Sequence, residues 1–229
     1  MTAVGGPADR VSEPEPHVVL VPVKAFGRAK VRLAPALPPG QRAELAREMA
    51  RRVVAAAAPL PVAVVCDDGG VADWARALGA GVIWQPGQGL DNAVTAGVAR
   101  LAAEGAARVT VAHADLPLAT DLTWLGSPTP SRPPANPVPG SHPWARVVTL
   151  VPDRRLNGTN VASVPTGVGF RFSYGPGSFA RHWMEGLRRG LAVEVVHDPG
   201  LAWDIDVPDD LSALDQAGMS GPGGLAVLR

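Results

Sequence analysis

Four short runs of apolar, largely β-branched residues constrain this chain most: 17–23, 61–66, 81–84 and 108–112. Between them lie longer segments whose apolar residues recur at helical spacing. The first such segment is read as a helix over Pro39–Ala58. Leu45, Met49, Val53 and Val54 fall on one face, and Pro59 ends it. Shorter helices are predicted near Val71–Leu78 and from Gly89 to Glu104. Strands alternating with helices fold as a parallel, doubly wound sheet, covered on both faces. Ligands of such sheets sit at the carboxyl ends of the strands. There the chain carries Lys24, Asp67, Asp68 and Asp115.

The second half continues the pattern less regularly. Strands are predicted at Ala145–Val151, Val161–Val164 and Leu191–Val196. A glycine-rich loop, Phe172 to Phe179, opens a helix from Ser178 to Arg189. Trp183 and the leucines of that helix read as core. Seven of the 18 residues at 126–143 are proline, which no helix or strand interior tolerates. That stretch reads as a surface excursion within one domain spanning 17–217, flanked by tails at 1–16 and 218–229.

Composition narrows the classes of function. The 229 residues carry no formal net charge and are 46% hydrophobic. A core is affordable, and nothing global favours nucleic acid or a membrane surface. A polyanion must therefore be held by a local site. The single cysteine, Cys66, excludes an intrachain disulfide and a cysteine-cluster zinc site. It ends an apolar run and is expected to be a buried structural thiol. No apolar run approaches the roughly 18 residues of a membrane span. Residues 1–16 lack the apolar core of a signal peptide, so the expected location is cytoplasmic.

Only two of the 21 basic residues are lysines, Lys24 and Lys30. Both follow the first strand, with Arg28 and Arg32 nearby. Lysine is a compact point charge, suited to the oxygens of a polyphosphate. Carboxylates complement them. Asp204 and Asp206 alternate with Ile205, so in extended backbone both acids project to one side while Ile205 packs inward. With Asp115 they form an oxygen-rich set suited to Mg²⁺. Asp209 and Asp210, after Pro208, read as caps of the last helix. The loops Gly158-Thr159-Asn160 and Gly175-Pro176-Gly177-Ser178 suggest a second anion site, with free N–H groups at the start of a helix. Gly89, Leu90, Asp91 and Asn92 open another helix, and Asp91 and Asn92 suit either a nucleoside or a helix cap. His113 and His182 are candidates for polar contacts, and neither reads as a metal ligand. No Walker loop and no GxGxxG fingerprint is present. The combined features match nucleotidyl transfer, in which catalysis is mainly positioning and charge neutralisation.

The segments VPVKAFGRAKVRL, GLDNAV, HADLPL, PDRRLNGTN, YGPGSFARH and AWDIDVPDDL occur in that order across residues 18–214. Together they resemble the guanylyltransferases of coenzyme F-420 biosynthesis, the 2-phospho-L-lactate and phosphoenolpyruvate guanylyltransferases. The resemblance implies a nucleotide-diphospho-sugar-transferase-like α/β three-layer sandwich with a mixed, mostly parallel sheet. It implies GTP near Lys24, Lys30 and Arg32, with Gly89, Leu90 and Asp91 toward the nucleoside. It maps Asp115, Asp204 and Asp206 onto metal-binding acids, and Thr159, Gly175 and Ser178 onto the site of a small phosphorylated acid. Lys24, nearer the strand end, is expected at the reacting centre beside Asp115, with Lys30 along the triphosphate tail. Sequence leaves open the acceptor (phosphoenolpyruvate, 2-phospholactate or 3-phosphoglycerate), the base and the oligomeric state, a homodimer included. Two alternatives also stand: a sibling nucleotidyltransferase acting on molybdopterin or a sugar phosphate, and a non-catalytic nucleotide-binding protein.

Overall fold

The computed structural model describes residues 16–125 and 145–216. The tails expected at 1–16 and 218–229, Pro16 aside, and the proline-rich stretch at 126–143 lie outside them. Seven strands form one sheet: β1 (His17–Pro22), β2 (Val62–Cys66), β3 (Gly81–Trp84), β4 (Arg108–Ala112), β5 (Val147–Pro152), β6 (Thr159–Pro165) and β7 (Ala192–Val195). Their order is β3-β2-β1-β4-β6-β5-β7. Strand β6 runs antiparallel to both neighbours, β4 and β5, and every other pairing is parallel. The helices are α1 (Pro39–Ala56), α2 (Gly69–Ala77), α3 (Gly89–Ala103), α4 (Ser178–Arg188) and α5 (Pro208–Gln216).

The central strands are buried on both faces, which explains their unbroken apolar runs. In β1, Val19 and Val21 face a core shared with α1 and α2, whereas Leu20 faces the opposite core with Val94 and Leu101 of α3. All three β1 side chains are fully buried, and each such burial stabilises by roughly 1.5–3 kcal/mol. Helix α3 crosses β1 closely at Gly97, where a Cβ would lie 2.8 Å from Leu20 Cδ2. A smaller third core joins Leu33, Leu45 and Met49 to Ile205, Leu211 and Leu214. It ties the loop after β1 to the last helix, and so fixes both sides of the site described below.

Strand β6 begins at Thr159, two residues earlier than the sequence suggests, because the ladder to β5 takes in the polar Thr159. Helix α4 departs further from expectation. Trp183, Met184 and Leu187 are exposed rather than core. The helix lies over the β5–β7 side of the sheet and turns His182 and Gly186 inward. A Cβ on Gly186 would lie 2.6 Å from Val193 Cγ2, so the closest approach to the sheet falls on that face, and the face carrying Trp183, Met184 and Leu187 looks outward. Among the described residues no helix is long and apolar enough to cross a membrane.

Candidate active site

The strand pairings send the carboxyl ends of β1 to β5 and β7 to one edge of the sheet, together with the amino end of β6. The chain winds outward from β1 to β3 and then returns to place β4 on the other side of β1. This is a topological switch point, where a crevice opens between diverging connections. A cavity of about 840 Å³ lies there. Lys24, Lys30, Arg32, Gly89, Leu90, Asp115, Thr159, Gly175, Ser178, Asp204 and Asp206 all line it, and Asp91 does not.

Lys30 sits at the centre. Its backbone is left-handed, with φ 53° and ψ 39°, a conformation uncommon outside glycine and asparagine. Its Nζ donates to Asp115 Oδ2 at 2.6 Å and to Asp206 Oδ1 at 3.0 Å. Burial opposes the ammonium, but the two carboxylates outweigh it and raise the Lys30 pKa. Burial likewise opposes the charge on Asp115, and Lys30 outweighs it, holding that carboxyl below its ordinary range. Arg32 is more peripheral: its Nη1 lies 3.7 Å from Asp206 Oδ2, and its side chain is 75% exposed. Lys24 is exposed and pairs with no acid among the described residues.

Asp204 lies apart from this pair of bridges. Burial first, and then the charge of Asp115, raise its pKa to about 6. Asp204 Oδ1 and Asp115 Oδ1 are both buried without a hydrogen-bond partner. Buried acceptors left unpaired are costly and point to a missing partner. The donor set is hard oxygen, which fits Mg²⁺. Among the described residues no three acids, histidines or cysteines stand close enough to hold a metal as they are, because Lys30 occupies the space between Asp115 and Asp206.

Asp204 yields a stability prediction. Its folded pKa lies above the ordinary value, so the folded state takes up a proton as pH falls through about 6, before the unfolded chain does. The penalty of its charge is complete above that pH and relieved below it. Asp204→Asn should therefore raise the thermal midpoint of the ligand-free protein by a few degrees at pH 7.5. The gain should shrink as the pH approaches 5, and melting curves across that range check it.

The opposite wall is built by Asp153. Its Oδ1 accepts from Arg155 N and Asn157 N, at 3.0 and 2.8 Å, and its Oδ2 accepts from Gly158 N at 2.8 Å. A Cβ at Gly158 would come within 2.9 Å of that Oδ2, so glycine is needed there. The turn then delivers Thr159. From the other side, the Arg181 guanidinium donates to the carbonyls of Ser173, Tyr174 and Pro176 and staples the 173–176 loop. Asp91 Oδ1 accepts from Tyr174 N at 2.8 Å, so this acid ties the start of α3 to that loop.

Three N–H groups at the start of α4 are already taken within the protein. Gly177 N donates to Asn157 Oδ1, Ser178 N to Gly175 O, and Phe179 N to Asn157 O. Gly175, Thr159 and Ser178 line the cavity, and among the described residues no protein acceptor takes the Thr159 or Ser178 hydroxyl proton. Ser178 Oγ accepts from Thr159 N at 2.9 Å. His113 lines the cavity beside Asp115 and packs on the Tyr174 ring at 4.8 Å. Burial lowers its pKa, and its Nε2 has no partner. Cys66 is buried, and burial pushes its thiol up, consistent with a structural role. Asp68 caps α2 by accepting from Val71 N. Asp153 and Arg181 carry structural roles at the site that the sequence does not announce, and Asp210, expected only as a helix cap, also binds Arg154 and Arg155. The only local signal was an acid just past a strand, at Pro152-Asp153.

Residues 17–123 match the family described as "Guanylyl transferase CofC like". A protein of Rubrobacter xylanophilus named phosphoenolpyruvate guanylyltransferase is 39% identical over 204 residues, covering 87% of this chain and 93% of that protein. One of the same name from Conexibacter woesei is 36% identical over 218 residues, covering 92% of each. Among solved structures, a protein of Desulfovibrio desulfuricans G20, provisionally described as a nucleotide-diphospho-sugar transferase, superposes with a TM-score of 0.67 at 15% identity, covering 91% of this chain and 90% of that one. That likeness carries the fold alone. The extent and identity of the sequence matches carry more: this chain belongs to the CofC-like guanylyl transferase family.

Proposed function

We propose that this guanylyltransferase moves GMP from GTP to phosphoenolpyruvate, with release of pyrophosphate, in the biosynthesis of coenzyme F-420. The observation that carries the reading is the pair of unpartnered buried oxygens, Asp115 Oδ1 and Asp204 Oδ1, in a cavity that also holds Lys30. The names of the relatives support phosphoenolpyruvate as the acceptor.

In this reading Lys24, Lys30 and Arg32 bind the triphosphate, and Gly89 and Leu90 lie toward the nucleoside. Asp91 acts indirectly by fixing the 173–176 loop. The Thr159 and Ser178 hydroxyls and the Gly175 N–H hold the acceptor. A phosphate oxygen of the acceptor attacks the α-phosphorus of GTP. The bond from that phosphorus to the α–β bridging oxygen breaks, and pyrophosphate leaves with the electron pair. The attacking phosphate is already ionised at neutral pH, so no protein base is needed. Asp115 and Asp204 would hold Mg²⁺ through their unpartnered Oδ1 atoms, with Asp206 closing in through the oxygen that Lys30 leaves free, and the metal when bound would neutralise charge on the phosphates. Lys30, with its proton secured by two carboxylates, stays cationic and offsets charge beside the reacting phosphate.

The test is pyrophosphate release with GTP and Mg²⁺, crossed with phosphoenolpyruvate, 2-phospholactate and 3-phosphoglycerate. Release is expected with phosphoenolpyruvate and GTP together and not with either alone. Release with 2-phospholactate only would reassign the acceptor. No release with any of the three would refute the reading.

A further inference from the structure

We propose that His182 is a positioning residue for the acceptor, fixing the Thr159 hydroxyl as a hydrogen-bond donor into the cavity. This rests on the reading of Thr159, Gly175 and Ser178 as the acceptor site. His182 is fully buried on α4. Its Nε2 lies 2.9 Å from Ser173 N, and its Nδ1 lies 2.9 Å from Thr159 Oγ1. A backbone N–H can only donate, so Nε2 must be the acceptor. The one proton of the neutral ring is then on Nδ1, and it points at Thr159 Oγ1. Burial is the main reason that the ring stays neutral, since it pushes the pKa down to about 4.

The consequence falls on Thr159. Its oxygen receives the His182 proton, so its own proton must turn elsewhere. No protein acceptor takes that proton among the described residues, and Thr159 lines the cavity. Ser178 is arranged the same way: its oxygen receives Thr159 N–H, so its hydroxyl proton also remains for a ligand. Each oxygen already accepts one hydrogen bond and neither proton is claimed by the protein among the described residues, so the two hydroxyls make a pair of available donors. That suits an anion that only accepts, such as a phosphate or carboxylate. The same ring holds Ser173 N, so one histidine sets both the β6 end and the loop that carries Gly175.

The experiment measures pyrophosphate release for His182→Phe, Thr159→Val and the double variant, with KM for phosphoenolpyruvate and for GTP taken separately. Each single change should raise the acceptor KM by roughly tenfold or more and leave the GTP KM within about twofold. In the Thr159→Val background, His182→Phe should raise the acceptor KM by much less than it does alone. An equal factor in both backgrounds would mean that His182 does not act through Thr159, and would overturn the inference while sparing the acceptor site. An unchanged acceptor KM in Thr159→Val would overturn both. Nitrogen NMR of the wild-type imidazole, at neutral pH, tests the same point without any variant. The expected form has the proton on Nδ1 only, and a proton on Nε2 would overturn the inference.

Discussion

Lys30→Met is expected to reduce guanylyl transfer by about 10²–10³-fold, the largest loss for any single cationic residue of the site. Lys30 Nζ bridges Asp115 and Asp206 with only 9% of its side chain exposed. Removing it leaves two carboxylates facing each other with only the exposed Arg32 guanidinium, 3.7 Å from Asp206, to offset them. It also removes the cation best placed to sit beside a phosphate. Lys30→Arg should fare little better. A planar guanidinium is wider than an ammonium, and the slot between the acids is fitted to a point charge. Lys24→Arg should be milder, within about tenfold, because Lys24 is exposed and a longer fork can reach the same phosphate. Steady-state pyrophosphate release on the three variants decides the order. If Lys24→Arg is the more damaging, Lys24 is the residue at the reacting centre, as its nearness to β1 suggests from sequence alone. Melting curves supply an independent readout. The Asp115 pKa is depressed in the fold, so its contribution to stability is present above the ordinary carboxylate range and is lost as pH falls through the depressed value. The stability gap between wild type and Lys30→Met should therefore be widest near neutral pH and close in acid.

The parts of this site visible in the sequence are those set by local pattern. Apolar runs ending in Lys24 and Asp115 mark strands whose ends share an edge, and a parallel sheet does the rest. The Asp204-Ile205-Asp206 alternation also carries through. Ile205 is fully buried in the third core, and both acids line the cavity. Their division of labour is not local, because it depends on Lys30, 176 residues from Asp206. The α4 N-terminus shows how a local rule fails: its N–H groups would be free in an isolated helix, but Asn157 reaches across and takes two of them. The donor sense of Thr159 is equally hidden, since it depends on the direction of Ser173 N–H. Trp183 misleads because hydrophobicity does not say which face of an outer-layer helix meets the sheet.

Asp210→Ala should destabilise the fold by about 3–5 kcal/mol, the largest expected effect on stability, although the sequence suggests only a helix cap. The carboxylate does cap α5: its Oδ2 accepts from Asp206 N and Val207 N at 2.8 and 2.9 Å. Its Oδ1 binds the guanidinium of Arg154 and, at 3.0 Å, that of Arg155. The side chain is fully buried. One acid thus clamps the 204–207 segment to the 153–155 turn, joining the wall that presents Asp204 and Asp206 to the turn that presents Thr159. Truncation strands two backbone N–H groups and uncouples two arginines, one of which also stacks on Trp203 at 4.4 Å. Asp210→Asn keeps one acceptor oxygen and should lose less, so denaturant unfolding should rank wild type above Asn and Asn above Ala. The pH dependence has a definite sign. Burial opposes the charge, but the N–H groups of Val207 and Asp206, together with Arg155, outweigh it and hold the pKa down. The contribution of the charge is therefore complete above the ordinary carboxylate range and is lost as pH falls through the depressed value. The gap between wild type and Asp210→Asn should stay constant from pH 8 to about 5 and narrow only in stronger acid. A gap that narrowed already between pH 7 and 6 would show that Asp210 is not held in its charged form by this clamp. Because the clamp positions Asp206, the Asn variant should also bind Mg²⁺ more weakly while remaining folded, which titration calorimetry with the metal alone can read.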